Sequence, residues 1–186
     1  RNHIMGQYKH KPTKSFAGIP RLIINSDTFK TLKGNEAKLL LLLAHFFTGK
    51  NNGDISLAMS IMKQWFRSNT TLLSAKDGLL KKGFIVINAY GGQSTEGKKL
   101  PHLYALTWLP INDLKPGKWE IRFTHYTSNR PPLNYWKDGK NPDYKTERQR
   151  DAQYKRDLNK IKKTHTSSQT YLSKIGFVSK LNLIKK

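Results

Sequence analysis

One short segment of the sequence has the spacing of a phosphate-binding loop. Residues 92–98 fit the pattern G-x-x-x-x-G-K and follow a run of strand-forming residues. In nucleotide-binding proteins such a loop needs a Ser or Thr after the lysine to hold magnesium and a helix terminus to face the phosphates. Here Lys99 replaces the Ser or Thr, and Leu100-Pro101 leads into a second strand-forming run. The segment is therefore predicted to be a hairpin loop and not a nucleotide site.

The other side chains that commonly perform chemistry are scattered along the chain. There are 12 Asp and Glu residues, 6 histidines and no cysteine, and no spacing among the histidines is typical of a metal site. No carboxylate forms an obvious pair with a histidine or a second acid, so general acid–base or two-metal catalysis has no visible parts. We therefore expect a protein that is not an enzyme and that needs neither a metal nor a cofactor.

The charge of the chain indicates a polyanionic partner. Lys and Arg number 34 against 12 Asp and Glu in 186 residues, which gives a net charge of +22. Chains this basic usually bind nucleic acid or an anionic membrane. The longest apolar run, residues 39–44, is far shorter than the roughly 20 residues of a membrane span. A nucleic acid is therefore favoured, and no membrane contact is expected.

Charge and composition divide the sequence near Asp113. Residues 114–186 hold 18 of the basic and 6 of the acidic residues, so the shorter part of the chain is the more basic. It also contains a Pro-rich segment and a polar run, which lower its share of patterned apolar residues. We predict an amino-terminal arm at 1–17, a folded domain at 18–113 and a basic extension at 114–186.

Two helices are predicted at the start of the folded domain. Ser26 can cap a short helix through Leu32, and Asn35 can cap a longer one to about Thr48, because their side-chain oxygens accept amide hydrogens of the first helical turn. The apolar stripe of the longer helix is Leu39, Leu40, Leu43 and Phe47. These residues are expected to form part of the core.

A short strand, a short helix and a hairpin are predicted further along the domain. Residues 54–57 follow an Asn-Asn-Gly turn signal and have the character of a very short strand, while residues 58–66 have apolar residues at helical spacing. Residues 84–90 and 102–108 are rich in strand formers and flank a polar loop. The last two segments are expected to pair as the strands of a hairpin.

A third main helix is predicted just before that hairpin. Ser68 can cap a helix from Asn69 to Lys82, and Gly83 can end it. Its expected buried side is Leu72, Ala75, Leu79 and Leu80. With the elements around it, this helix completes the order helix, strand, helix, turn, helix, hairpin of a winged helix-turn-helix domain, an α+β fold.

In a winged helix-turn-helix domain the last helix enters the major groove and the hairpin loop contacts an adjacent groove or the backbone. Asn can pair with adenine and Arg with guanine, so Asn69 and Arg67 are the expected base readers, whereas Ser68 and Thr70 suit phosphate. The alternative is a solvated helix face with solubilising lysines on the loop. The predicted DNA-binding residues are Arg67, Ser68, Asn69, Thr70, Ser74, Lys81, Lys98 and Lys99.

Four segments of the domain resemble small winged-helix proteins of bacterial phages, plasmids and integrative elements. They are residues 51–54, 67–72, 79–85 and 103–108. The resemblance covers about residues 18–113. It implies DNA binding in the replication or transcriptional control of a mobile element. We therefore expect sequence-specific binding of double-stranded DNA in replication, mobilisation or transcriptional control, in the bacterial cytoplasm and at the nucleoid. The alternative is a non-enzymatic interaction subunit whose winged helix docks protein or RNA within a larger nucleoprotein assembly.

The extension is too rich in aromatic and apolar residues for a purely solvating tail. Its first part is expected to pack back on the domain through Trp119, Phe123, Tyr126, Tyr135 and Trp136. Residues 143–163 are either a charged helix, with Tyr154, Leu158 and Ile161 as a thin apolar stripe, or a disordered basic arm. Residues 171–186 are expected to dock on their own domain, a second copy or another protein.

Overall fold

The computed structural model describes residues 17–93, 97–114, 124–126, 130–146, 148–153, 155–157, 159–160 and 163. Its helices are α1 (Arg21–Ile24), α2 (Asp27–Lys30), α3 (Gly34–Phe46), α4 (Met59–Met62) and α5 (Asn69–Lys81). Its strands are β1 (Ile55–Ser56), β2 (Ile85–Ala89), β3 (Gly92–Gln93), β4 (Lys99–Leu100) and β5 (Leu103–Leu106). A 3-10 turn, Tyr135–Lys137, and helical residues at 148–153, 155–157, 159–160 and 163 follow. The fold is α+β, as predicted.

The first helices confirm one predicted cap and correct another. The Ser26 hydroxyl accepts a hydrogen bond from the Phe29 amide at 3.2 Å, which confirms it as the N-cap of α2. The prediction that Asn35 caps α3 is wrong, because Lys33 occupies the N-cap and Asn35 already lies in the first turn. There the backbone N–H of Lys33 donates to Glu36 Oε2 at 2.8 Å. The glutamate therefore satisfies an amide that the helix itself leaves unpaired.

Helix α5 forms as its sequence predicts. The Ser68 hydroxyl accepts from the Thr71 amide at 3.4 Å, and the chain leaves the helix at Gly83 with φ of +76°. The predicted apolar stripe is buried, namely Leu72, Ala75, Leu79 and Leu80. It packs in the main core with the stripe of α3, formed by Leu39, Leu40 and Leu43. Burial of these side chains fixes the rotation of α5 and so determines which of its faces is exposed.

The predicted hairpin and short strand form a single antiparallel sheet. Its strand order is β1-β5-β2, with Ile85 opposite Leu106 and Ile55 opposite Tyr104. Beyond it, β3 and β4 pair as a separate two-stranded ribbon. The predicted short helix at residues 58–66 is shorter in the structure, where α4 ends at Met62 and the amides of Trp65 and Phe66 turn back to the Met62 carbonyl.

The turn before β1 is held by one buried asparagine. The side chain of Asn52 is fully buried, and its Nδ2 donates to the carbonyls of Leu106, Leu109 and Pro110 at 3.0, 3.2 and 2.9 Å. Its Oδ1 accepts from the Leu106 amide at 2.7 Å. This one residue thus fastens the turn to the end of β5 and to the chain that follows it.

Part of the extension packs on the domain, as predicted. Trp136 is buried in the main core, whereas Tyr126 is buried in a second cluster on which Tyr135 packs. Backbone amides of the extension also bond to the domain: His125 donates to Asn88, Asn134 to Thr107 and Asn141 to Lys81, at 2.8, 2.8 and 3.0 Å. These contacts cross the boundary predicted at Asp113. The predictions for residues 1–16, Trp119, Phe123, Tyr154, Leu158, Ile161 and 171–186 lie outside the described residues.

Substitution of Gly83 is expected to destabilise the fold, because Gly83 lies against the backbone of Tyr135 in the extension. A Cβ at Gly83 would lie 2.7 Å from the backbone of Tyr135, and the positive φ is itself unfavourable for alanine. Gly83→Ala should therefore lower the free energy of unfolding by about 2 kcal/mol, measured by urea titration. The matched control is Gly49→Ala, because Gly49 also has a positive φ, of +90°, but its Cβ would meet no atom within 4 Å. Equal stability of the two variants would contradict the docking of Tyr135 on Gly83.

Candidate nucleic-acid interface

The amino-terminal half of α5 and the turn before it form an exposed polar surface. Burial of Leu72 and Ala75 turns the opposite side of this half outward, because residues three and four apart share a helix face. The predicted readers Asn69 and Arg67 are both exposed there. The exposed predicted residues of this surface, named here the α5 face, are Arg67, Ser68, Asn69, Thr70 and Ser74.

Two exposed residues in this part of the chain, Leu73 and Lys63, were not among the predicted site residues. Leu73 is 44% exposed beside Ser74 on the α5 face, although an apolar residue in a helix would ordinarily be assigned to the core. Lys63 is exposed in the turn that leaves α4. Lys63 was recognisable as a basic residue shortly before the Arg67-Ser68 segment. Leu73 was recognisable because its helical position is turned away from the buried Leu72 and Ala75.

The carboxy-terminal half of α5 is contacted by the extension. Asp77 Oδ1 accepts a hydrogen bond from the Tyr144 hydroxyl at 2.7 Å, and Asp77 Oδ2 lies 3.1 Å from Lys81 Nζ. Lys81 Nζ also lies 5.4 Å from the centroid of the Tyr144 ring. Arg150 NH1 is 3.7 Å from Asp77 Oδ1. Four side chains from two parts of the chain thus form one cluster at this end of the helix.

Lys81 belongs to this cluster and lies at the opposite end of α5 from Asn69. Twelve helical residues place Lys81 about 18 Å along the axis from Asn69. Burial opposes ionisation of Asp77, but the hydrogen bonds from Tyr144 and Lys81 lower its pKa overall, and the bond with Asp77 raises the pKa of Lys81. Lys81 remains 58% exposed. It therefore stays a predicted phosphate contact, with its charge shared with Asp77.

Burial changes the ionisation of a second lysine on the same helix. Lys76 is partly buried, and desolvation, assisted by the charge of Arg150, lowers its pKa to about 8. A lysine in this state loses part of its charge near the upper end of the physiological range. The positive charge that α5 can offer to an anion therefore comes chiefly from two exposed residues. These are Arg67, just before the helix, and Lys81, in its last turn.

The remaining predicted residues, Lys98 and Lys99, lie on the hairpin. Both are exposed, and Lys99 is in β4, opposite Gln93 of β3. Gly97 has φ of +81° where the chain turns back. The segment with phosphate-loop spacing is thus followed by a strand and no helix, which confirms the predicted hairpin. The two lysines therefore lie on the hairpin, whereas the α5 face lies on a helix and the turn before it.

The described residues show neither a metal-binding cluster nor a membrane-spanning helix. In the part of the chain that the structure describes, no three His, Cys, Asp or Glu side chains are grouped so that they could hold a metal ion. No described helix combines the length and the apolar character needed to cross a membrane. Comparison with models of protein families, with curated proteins and with solved structures found no match to this chain.

Proposed function

We propose that residues 18–113 form a winged helix-turn-helix domain and that the protein binds double-stranded DNA sequence-specifically. The element order α3, β1, α4, α5, β2, β5 and the strand order β1-β5-β2 support this fold, with α5 as the recognition helix and the β3–β4 ribbon as the wing. The resemblance to small winged-helix proteins of phages, plasmids and integrative elements suggests a role in replication, mobilisation or transcriptional control of a mobile element.

The exposed α5 face is the observation that carries the proposal. It combines an Arg and an Asn, which can each make two hydrogen bonds to a base edge, with hydroxyl groups suited to phosphate. It contains no acidic residue from Arg67 to Ser74, and Asp77, the next one along the helix, is already bound by Tyr144 and Lys81. In a chain with a net charge of +22, such a face is better suited to DNA than to an acidic protein surface.

Each predicted residue has a role in this proposal. Asn69 and Arg67 contact base edges, while Ser68 and Thr70 bind the backbone near the start of the helix. Ser74 lies one turn further along the same face. Lys98 and Lys99 neutralise phosphates from the wing.

Asn69→Ala is the direct test of recognition by α5. After selection of a preferred site from random duplexes, this substitution should cost about 1 to 3 kcal/mol at that site and little on scrambled duplexes, because a base contact is lost. The measurement is a competition titration against both duplexes. The control is Asn35→Ala, which removes the same side chain from an exposed position on α3.

Two outcomes would contradict the proposal. If no duplex were enriched over competitor, sequence-specific recognition would be wrong, and an interaction subunit that docks protein or RNA would be favoured. If Asn69→Ala weakened preferred and scrambled duplexes equally, Asn69 would be a backbone contact and another residue would read the site.

A further inference from the structure

A half-open cavity of about 220 Å³ lies between the end of α5, strand β2 and the extension. Its lining combines apolar side chains of α5 and β2 with polar side chains of the extension, among them His125, Tyr126, Arg130, Asp143, Lys145 and Arg150. Pockets for drug-sized ligands usually exceed about 300 Å³, so this cavity suits a smaller molecule or one group of a larger one. None of the residues assigned above to DNA contact lines it.

The lining of the cavity has an excess of positive charge. Arg130, Lys145 and Arg150 face a single lining carboxylate, Asp143. Asp143 Oδ2 already accepts hydrogen bonds from the hydroxyls of Tyr126 and Tyr135 at 2.7 and 3.0 Å. The three cations therefore outnumber the lining carboxylate, although Lys145 Nζ also donates to Gln153 Oε1 at 3.1 Å and Arg150 NH1 lies 3.7 Å from Asp77 Oδ1, outside the lining.

Arg150 is more enclosed than Arg130, which is exposed. Its side chain is only 13% exposed, and its NH1 donates to the Lys145 carbonyl at 2.8 Å. Among the described residues, the carboxylate oxygen paired with it is Asp77 Oδ1 at 3.7 Å, too far for a hydrogen bond, and Asp77 is engaged by Tyr144 and Lys81. An enclosed guanidinium whose paired carboxylate lies beyond hydrogen-bond distance is incompletely stabilised. A bound anion would offset that cost.

His125 also lines the cavity, and one of its nitrogens is buried without a hydrogen bond to any residue that the structure describes. Its side chain is 24% exposed, and the buried Nε2 lies 3.4 Å from Asp157 Oδ2 in a geometry that makes no hydrogen bond. Burial lowers the pKa of His125, against the opposing effect of Asp157 and Asp143 and with the help of Lys145 and Lys160. The His125 ring that lines the cavity is therefore uncharged at neutral pH.

We propose that this cavity is a phosphate-binding site, in which Arg150, Arg130 and Lys145 hold a phosphate group beside His125. Arginine is suited to phosphate because its planar guanidinium donates two parallel hydrogen bonds to adjacent oxygens. The phosphate belongs either to a free anion, such as inorganic phosphate or a small phosphate ester, or to the backbone of a bound nucleic acid. The site does not depend on recognition by α5.

Titration of the full chain with inorganic phosphate tests the site. At constant ionic strength, with chloride as the comparison anion, the NMR signals of the His125 ring and the Arg150 guanidinium should shift and saturate. Arg150→Gln and Arg130→Gln should each weaken phosphate binding by about tenfold, because each removes a charged donor. Arg148→Gln is the control, since Arg148 is exposed nearby and does not line the cavity. It should bind phosphate like the unaltered chain.

A second titration in the presence of a duplex identifies the source of the phosphate. Competition between phosphate and DNA would assign the cavity to a backbone phosphate, and independent binding would assign it to a free anion. Phosphate binding by a chain that binds no duplex would refute the proposed DNA function and leave the site in place. No saturable shift in the unaltered chain, or equal weakening by Arg130→Gln and Arg148→Gln, would overturn the site. If Arg150→Gln does not fold, Arg130→Gln still tests the site, because Arg130 is exposed.

Discussion

Replacement of Asn52 by alanine is expected to lower the free energy of unfolding by about 3 kcal/mol or more. The substitution removes a fully buried amide that bonds to three carbonyls and one amide of residues 106–110. A methyl group replaces none of these bonds, and water has little access to the peptide groups left behind. Each buried polar group without a partner costs roughly 1 to 3 kcal/mol. Urea titration followed by circular dichroism measures the change.

Two further substitutions separate the hydrogen bonds from other effects. Asn35→Ala removes the same side chain from an exposed position and is expected to change stability by less than about 0.5 kcal/mol. Asn52→Asp keeps the shape but replaces the Nδ2 donor by an oxygen that faces three carbonyls, so it should destabilise at least as much as alanine. A loss below about 1 kcal/mol for both Asn52 variants would contradict the proposed role of its side chain.

Asn52 also illustrates what could and could not be predicted from the sequence. The Asn-Asn-Gly signal predicted a turn because it depends on the local backbone preferences of these residues. The partners of Asn52 lie 54 to 58 residues away, and no local pattern identifies them. The residue that marks the turn in sequence is therefore also the one that fastens the turn to the sheet.

The elements that position the α5 face were predictable for the same local reasons. A serine cap, a stripe at helical spacing and a glycine stop gave α5, and strand formers around a polar loop gave β2 and β5. The error at the start of α3 arose because Asn35 and Glu36 are both able to accept a hydrogen bond from an amide at the start of the helix. Glu36 reaches back to the Lys33 amide at 2.8 Å, so the helix begins before Asn35 and the asparagine has no capping role.

The contacts of the extension lay beyond the reach of sequence patterns. Tyr144 bonds to Asp77 across 67 residues of chain, and Asn134 starts the 3-10 turn in a left-handed conformation, with φ of 53°. Composition indicated only that aromatic residues would pack back. As a result, the contact of Lys81 with the extension and the cavity beside His125 became visible only in the structure.

These contacts affect how binding by the two parts of the chain should be tested. Truncation after Asp113 would remove Tyr126 and Trp136 from the core. It would also remove the backbone hydrogen bonds from Asn134 to Thr107 and from Asn141 to Lys81. Such a variant would report on folding and on DNA binding together. Substitution of single exposed residues leaves the packed segments in place. It is therefore the better way to compare contributions to affinity.

Binding to duplex DNA is expected to weaken by about a thousandfold or more between roughly 50 and 200 mM salt. The α5 face, the wing and the basic extension together could neutralise on the order of 6 to 10 phosphates, and each neutralised phosphate releases condensed counterions. The net charge of +22 makes a footprint of this size reasonable. The measurement is the dissociation constant at several salt concentrations, plotted as logarithms. A flat response would count decisively against a nucleic-acid partner.

Two charge substitutions test whether the wing contributes to this dependence. Replacement of Lys98 and Lys99 by glutamine should reduce the slope by about 2, one for each lost phosphate contact, and should weaken preferred and scrambled duplexes equally. Lys30→Gln is the control, because Lys30 is exposed on α2 and pairs with Asp27 at 2.8 Å. It should leave the slope unchanged. If the control lowered the slope as much per lysine as the wing variant, the attraction would be a property of the net charge, and the wing would have no specific place on the DNA.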